Sequence, residues 1–100
     1  METEESARLL EALGNPTRLA IYCDLVEAGA DGRSVGEVNE QLGIPASTLS
    51  HHINKLVQTG LITQQRISRT LVCRAESGKM DELVLYLAHN CCAEDSAIWG

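Results

Sequence analysis

Phenylalanine is absent from this chain of 100 residues, and the aromatic side chains are Tyr22, Tyr86 and Trp99. Aliphatic side chains must therefore build the core. No apolar run approaches the ~20 residues that span a bilayer. The opening "METEES" is acidic and polar, unlike a signal peptide. There is no Gly-rich phosphate loop, no nucleophile elbow and no Cys-x-x-Cys, so enzyme chemistry is not expected. A cytoplasmic protein with no membrane partner and with reduced cysteines is expected instead.

Acidic residues are missing from one long stretch. Residues 1–40 carry nine acids and three bases, and residues 76–100 carry five acids and one base. Between Gln41 and Ala75 there are only Lys55, Arg66, Arg69 and Arg74. The net charge is −6, yet a local basic patch can still meet phosphate, because the Debye length is only ~8 Å at physiological salt. On charge alone, a nucleic-acid surface and a merely acid-free solvated face stay equally open.

What is present is helix punctuation. "EESARLLEALG" predicts a helix over roughly 4–13, with Leu9, Leu10 and Leu13 as its stripe. Asn15 is a plausible N-cap for the next helix, with Pro16 in its first turn, and Gly29 closes it. In that helix Leu19, Tyr22 and Val26 share one face, with Cys23 beside it. Ser34 and Glu37 form a capping box for a short helix with Val35, Val38 and Leu42 inward. "IPASTLSHHINKLVQTG" predicts a further helix with Leu49, Ile53, Leu56 and Val57 inward, capped by Ser47 or Thr48. "LITQQRISRTLVCRA" then changes period and reads as a hairpin tipped by Arg66, Ser68 and Arg69. A last helix starts near Ser77, with Met80, Leu83, Val84 and Leu87 as a broad apolar stripe.

About five helices and one small hairpin make a mainly α chain. Two short helices around "GIPAS" followed by a basic hairpin spell a winged helix-turn-helix. The second of them would show Ser47, Thr48, Ser50, His51, Asn54 and Lys55 outward, where short polar groups allow close approach to a major groove. Arg66 and Arg69 would sit over a phosphate backbone or minor groove. His51 and His52 diverge by ~100° on a helix and cannot chelate one ion together. His51 is expected to face DNA and His52 to pack against the domain.

"LGNPTRL", "IPASTLSHHINKLVQTGLI" and the hairpin resemble the ArsR/SmtB family of bacterial winged-helix repressors, over about residues 5–93. A chain of 100 residues is read as one domain over residues 1–100, and the resemblance implies a homodimer closed by the first and last helices. Leu9, Leu10, Met80, Leu83, Val84 and Leu87 are the candidate interface. It further implies an imperfect palindromic operator in double-stranded DNA, and release when an inducer binds. No cofactor is required.

Which inducer depends on the thiols. "SVGEVNEQLG" holds no cysteine, so one soft-metal site of the family is missing. On the last helix, Asp81 lacks the histidine partner a zinc site of the family would have. "NCC" at Cys91 and Cys92 resembles members that sense trivalent arsenic, and thiolates select soft acceptors such as As(III) and Sb(III). No cysteine follows Cys92 in this sequence, so a monomethylated arsenical, needing two thiolates, fits the pair; alternatively a third thiolate comes from elsewhere, such as Cys23 or Cys73, or from a small exogenous thiol. Both of these are more readily read as packed side chains. The alternative is a thiol-redox or reactive-sulfur sensor that cross-links Cys23 to Cys91 or Cys92.

Overall fold

The computed structural model describes residues 1–92. The described elements are α1 (Thr3–Leu13), α2 (Pro16–Ala28), β1 (Arg33–Ser34), α3 (Val35–Leu42), α4 (Ala46–Gln58), β2 (Ile62–Ile67), β3 (Thr70–Ala75) and α5 (Ser77–Cys91), with a single 3-10 turn at Gly29–Asp31. The strands form one antiparallel sheet in the order β1-β3-β2. This is a winged helix-turn-helix, with α3 and α4 as the helix pair and β2–β3 as the wing.

The helix starts follow local chemistry. Asn15 Oδ1 accepts from the backbone N–H of Thr17 at 2.9 Å and of Arg18 at 3.0 Å, and Pro16 opens α2. Ser34 Oγ accepts from Glu37 N–H, while the Glu37 carboxylate accepts from Ser34 N–H at 2.8 Å. Each bond satisfies a donor that the first helical turn leaves open. The capping hydrogen bonds also hold the Glu37 carboxyl below its ordinary range. Gly43 ends α3 in the left-handed region. Asn39 then donates through Nδ2 to the carbonyl of Ile44 and ties the tight turn into α4.

α4 departs from expectation at its start. Pro45, not Ser47 or Thr48, occupies the cap position, and no side chain caps the helix. The chain is already helical at Ala46, which places both hydroxyl residues inside the first turn, exposed.

α2 also turns a different face inward. Leu19 and Val26 are 45% and 54% exposed, whereas Arg18, Ile21, Tyr22 and Leu25 are buried. The reason lies in Arg18. Its Nε donates to Ala12 O at 2.6 Å and its Nη2 to Glu11 O at 3.3 Å, so the guanidinium binds two carbonyls in the last turn of α1. α2 carries apolar residues on nearly every side, and this polar contact chooses the face.

The core is aliphatic apart from Tyr22 and Cys73: Leu9, Ile21, Leu25, Val38, Leu49, Ile53, Leu56, Leu61, Ile62 and Leu83 are sealed from solvent. Leu9 and Leu83, expected at a dimer surface, are taken by the chain's own core. Met80 and Leu87 pack half-buried against it, which leaves Leu10, Val84 and Leu85 exposed. α5 is tied to α1 by a Lys79 Nζ–Glu5 Oε2 ion pair at 3.0 Å and a Thr3–Tyr86 hydroxyl contact at 2.6 Å. Among the described residues no helix is long and apolar enough to cross a membrane.

β1, which nothing in the sequence marks as a strand, pairs Arg33 with Cys73 and Ser34 with Val72. It can do so because Gly32, at φ +67°, brings the backbone close against β3. The wing closes in a two-residue turn, with Ser68 at φ +59° and Arg69 next.

Candidate nucleic-acid interface and effector thiols

The inner face of α4 is Leu49, Ile53 and Leu56, all buried. The period of 3.6 then forces Ser47, Ser50, His51 and Asn54 onto the opposite side, where they are exposed, with Thr48 exposed beside them. Lys55 differs from expectation. It is half-buried, and its Nζ lies 3.6 Å from Glu11 Oε1 on α1, so it braces α4 as well as offering a cation.

Arg66 and Arg69 are exposed on the wing and line a groove against the first turn of α3, made by Ser34, Val35 and Gly36 with Thr70 and Leu71. They form no ion pair among the described residues. Arg74, the fourth base of the acid-free stretch, is occupied structurally: Nη1 donates to Gln65 Oε1 at 2.8 Å and Nε to Ala30 O at 2.9 Å.

His52 is half-buried, with Nδ1 3.3 Å from Arg18 Nη1. Burial first, then the Arg18 charge, holds its pKa below the ordinary histidine value. Arg18 itself had no signal in the sequence. An arginine on an apolar helix reads as a solvated charge, and only the position of α1 shows otherwise.

The four thiols separate by environment. Cys73 is sealed in the core, and burial pushes its thiol pKa up, partly offset by the Gln64 Nε2 contact at 3.6 Å. A protonated, enclosed thiol cannot serve as a third ligand for an effector arriving from solvent. Cys23, expected to pack, is exposed instead. It lines an apolar groove between α2 and α5 with Leu19, Tyr22, Val26, Ser77, Met80 and Asp81. Cys91 is exposed as the last residue of α5, and Cys92 follows in extended backbone at φ −120°, ψ 148°. Adjacent thiols inside a regular helix diverge, so sharing one arsenic calls for fraying over Asn90 to Ala93; Asn90 and Cys91 are helical, and Ala93 lies outside the described residues. Among the described residues no three His, Cys, Asp or Glu side chains converge on a metal position.

A polar-faced helix held over a tight turn, beside an arginine-bearing hairpin, defines a helix-turn-helix DNA-binding regulator. Comparison with known proteins agrees. A family model described as "Helix-turn-helix domain" matches residues 13–65. The biofilm growth-associated repressor of Xylella fastidiosa (strain 9a5c) is 35% identical over 91% of this chain and 77% of its own length. The transcriptional repressor SmtB of Mycobacterium tuberculosis is 30% identical over 82% of this chain and 58% of its own. The crystal structure of the repressor BigR from X. fastidiosa aligns with a TM-score of 0.69 and 36% identity, covering 91% of this chain and 90% of that one. The chain belongs to the ArsR/SmtB family of winged-helix transcriptional repressors. It is a regulator and not an enzyme.

Proposed function

We propose that this repressor is a cytoplasmic homodimer closed by α1 and α5, and that it reads an imperfect palindromic operator with α4. A trivalent arsenical bridging Cys91 and Cys92 releases it. No resident cofactor takes part. The exposed apolar side chains Leu10, Val84 and Leu85 lie on the two helices that would close the dimer. Ser47, Thr48, Ser50, His51, Asn54 and Lys55 would meet the operator from α4, and Arg66 and Arg69 from the wing.

One observation carries the effector reading. Cys91 ends α5, and Cys92 has already left the helix. Adjacent residues inside a helix diverge too far to share one small ligand, whereas Cys92 can be re-aimed without unwinding an interior turn. In the reaction, two As–S bonds replace two As–OH bonds of a methylarsonous acid. The two thiol protons leave with the hydroxyls as water. The soft trivalent centre matches thiolate ligands.

Coupling of this kind is worth ~1–3 kcal/mol, or ~5–150-fold in operator affinity. The test is operator release titrated with arsenite, methylated arsenical, antimonite and persulfide side by side. Wild-type protein should leave DNA with the trivalent arsenicals, and a Cys91→Ser/Cys92→Ser variant should stay bound. Undiminished release from that variant sinks the reading.

The exposure of Cys23 favours a second reading, a reactive-sulfur or redox sensor cross-linking Cys23 to Cys91 or Cys92. Its groove contacts Ser77–Asp81, and Cys91 lies ten residues further along α5. That is ~15 Å at ~1.5 Å per residue, against the ~7 Å between Cα atoms that a disulfide tolerates. The bridge therefore requires α5 to move or the thiol to come from the other protomer. Mass spectrometry after persulfide treatment should show the Cys23 cross-link, and a Cys23→Ser protein that switches normally rules it out.

His51→Ala should relax base preference at the operator while leaving affinity for random DNA within about twofold, since base contacts carry discrimination of ~1–3 kcal/mol. Binding to systematically mutated duplexes checks this. Equal loss on specific and random DNA would refute base reading by His51.

A further inference from the structure

Three helices meet at one buried arginine. Arg18 of α2 is 7% exposed. It donates to Ala12 O and Glu11 O at the end of α1, and Nη1 faces His52 Nδ1 on α4 at 3.3 Å. The Glu11 carboxylate is shared, lying 3.8 Å from Arg18 Nη2 and 3.6 Å from Lys55 Nζ on α4. The ring next to His52 is His51, with centroids 5.9 Å apart. The residue best placed to read bases thus precedes the one that touches the α1–α2 junction.

We propose that Arg18 and His52 are positioning residues for operator recognition: a neutral His52 fastens α4 to the α1–α2 junction, and protonation of the ring unfastens it. This rests on α4 being the reading helix. A guanidinium only donates. Nδ1 must therefore accept, and the ring hydrogen sits on Nε2. A second proton would go to Nδ1 and set N–H against N–H, with two cations in contact.

The groups facing the ring allow no easy compensation. α2 presents Arg18 and α4 presents His51 and Lys55, while the carboxylate of Glu11 on α1 is engaged with Arg18 and Lys55. Among the other elements packed on α4, Glu37 of α3 is engaged with Ser34, while Glu40 of α3 and Arg66 of β2 are exposed. The surroundings keep His52 neutral to lower pH than a free histidine. The anchor is intact at neutral pH and is lost as pH falls below the ordinary value of ~6.5.

The probe is a duplex enriched from a random library by wild-type protein at pH 7.5, compared with a scrambled duplex of equal length. The ratio of the two affinities cancels the general gain in phosphate attraction as histidines charge. For wild type this ratio should fall about tenfold between pH 7.5 and pH 5.0. His52→Gln keeps an acceptor for Arg18 without titrating, so in a His51→Gln background its ratio should stay within about twofold across the range. His51→Gln should lower the ratio at pH 7.5 yet retain a pH-dependent fall. A flat wild-type ratio, or an undiminished fall in His52→Gln, overturns the proposal. Nitrogen chemical shifts test the anchor without DNA: His52 should carry its hydrogen on Nε2 at pH 7.5 and titrate below a free histidine. A hydrogen on Nδ1 overturns the proposal outright. If no duplex is preferred at pH 7.5, the reading role of α4 fails first, and the positioning role fails with it.

Discussion

Gly32→Ala should cost this domain about 3 kcal/mol or more, combining the ~1–3 kcal/mol of a strained backbone conformation with a clash. At φ +67° and ψ −168° the backbone occupies a region that is essentially glycine's own. The added Cβ would also meet Cys73 O at 2.4 Å, Arg74 Cγ at 2.7 Å and Val72 Cγ1 at 3.1 Å. The first of these is backbone in the middle strand and cannot swing away. Either β1 leaves the sheet or β3 shifts under the core. For a domain this small, each kcal/mol moves the melting midpoint by roughly 4–8 °C. Melts at fixed protein concentration should therefore show a drop of well over ten degrees. Gly36→Ala is the control. Gly36 is helical, and a Cβ there has only Ser34 Oγ within reach, at 3.8 Å, so the change should be neutral or stabilise by ~0.5–1 kcal/mol. A Gly32→Ala protein as stable as wild type would mean that β1 does not pair with β3 as described.

The second large effect belongs to the wing. Removing both arginines with Arg66→Ala/Arg69→Ala should weaken DNA binding on the order of 100-fold at low salt, and about equally for operator and random duplexes. Phosphate contacts position a protein without reading sequence. Each lost contact should also reduce the slope of log K against log salt by ~0.9, which is ~4 for the proposed dimer with four arginines gone. The two curves must therefore converge as salt rises. Binding isotherms at several salt concentrations measure both quantities. A variant that loses operator affinity but keeps its affinity for random DNA would instead assign the wing a base-reading role. Arg74→Ala, by contrast, should act on stability, since that side chain already bridges Gln65 and Ala30.

Much of this architecture was legible because helix ends are written in local chemistry. Asn15, the Ser34/Glu37 box and Gly29 act within a few residues of themselves. The outward face of α4 was equally legible, since one period sets both its apolar and its polar sides. Other features were decided by tertiary contact. α2 offered two apolar faces, and the end of α1 selected one by engaging Arg18. β1 is too short to carry a period, and its pairing depends on β3, which lies about forty residues further on. α5 reads as one apolar stripe, but its division between the chain's own core at Leu83 and an open surface at Val84 and Leu85 is a matter of docking angle. Cys23 shows the same limit: burial of a small residue on an apolar helix follows from which face turns inward.

The enclosure of Cys73 supplies a clock. An alkylating reagent can reach that sulfur only when the sheet parts from the helices beneath it. Cys23 and Cys91 are open to the same reagent in the closed protein. One time course, resolved by peptide mass, would therefore record two processes in a single tube. Loss of reactivity at Cys91 would track occupancy by effector, and the slow appearance of modified Cys73 would time how often the wing's base opens. Comparing the second rate with and without effector would show whether release from DNA involves loosening of the sheet or a rigid-body change that leaves it closed.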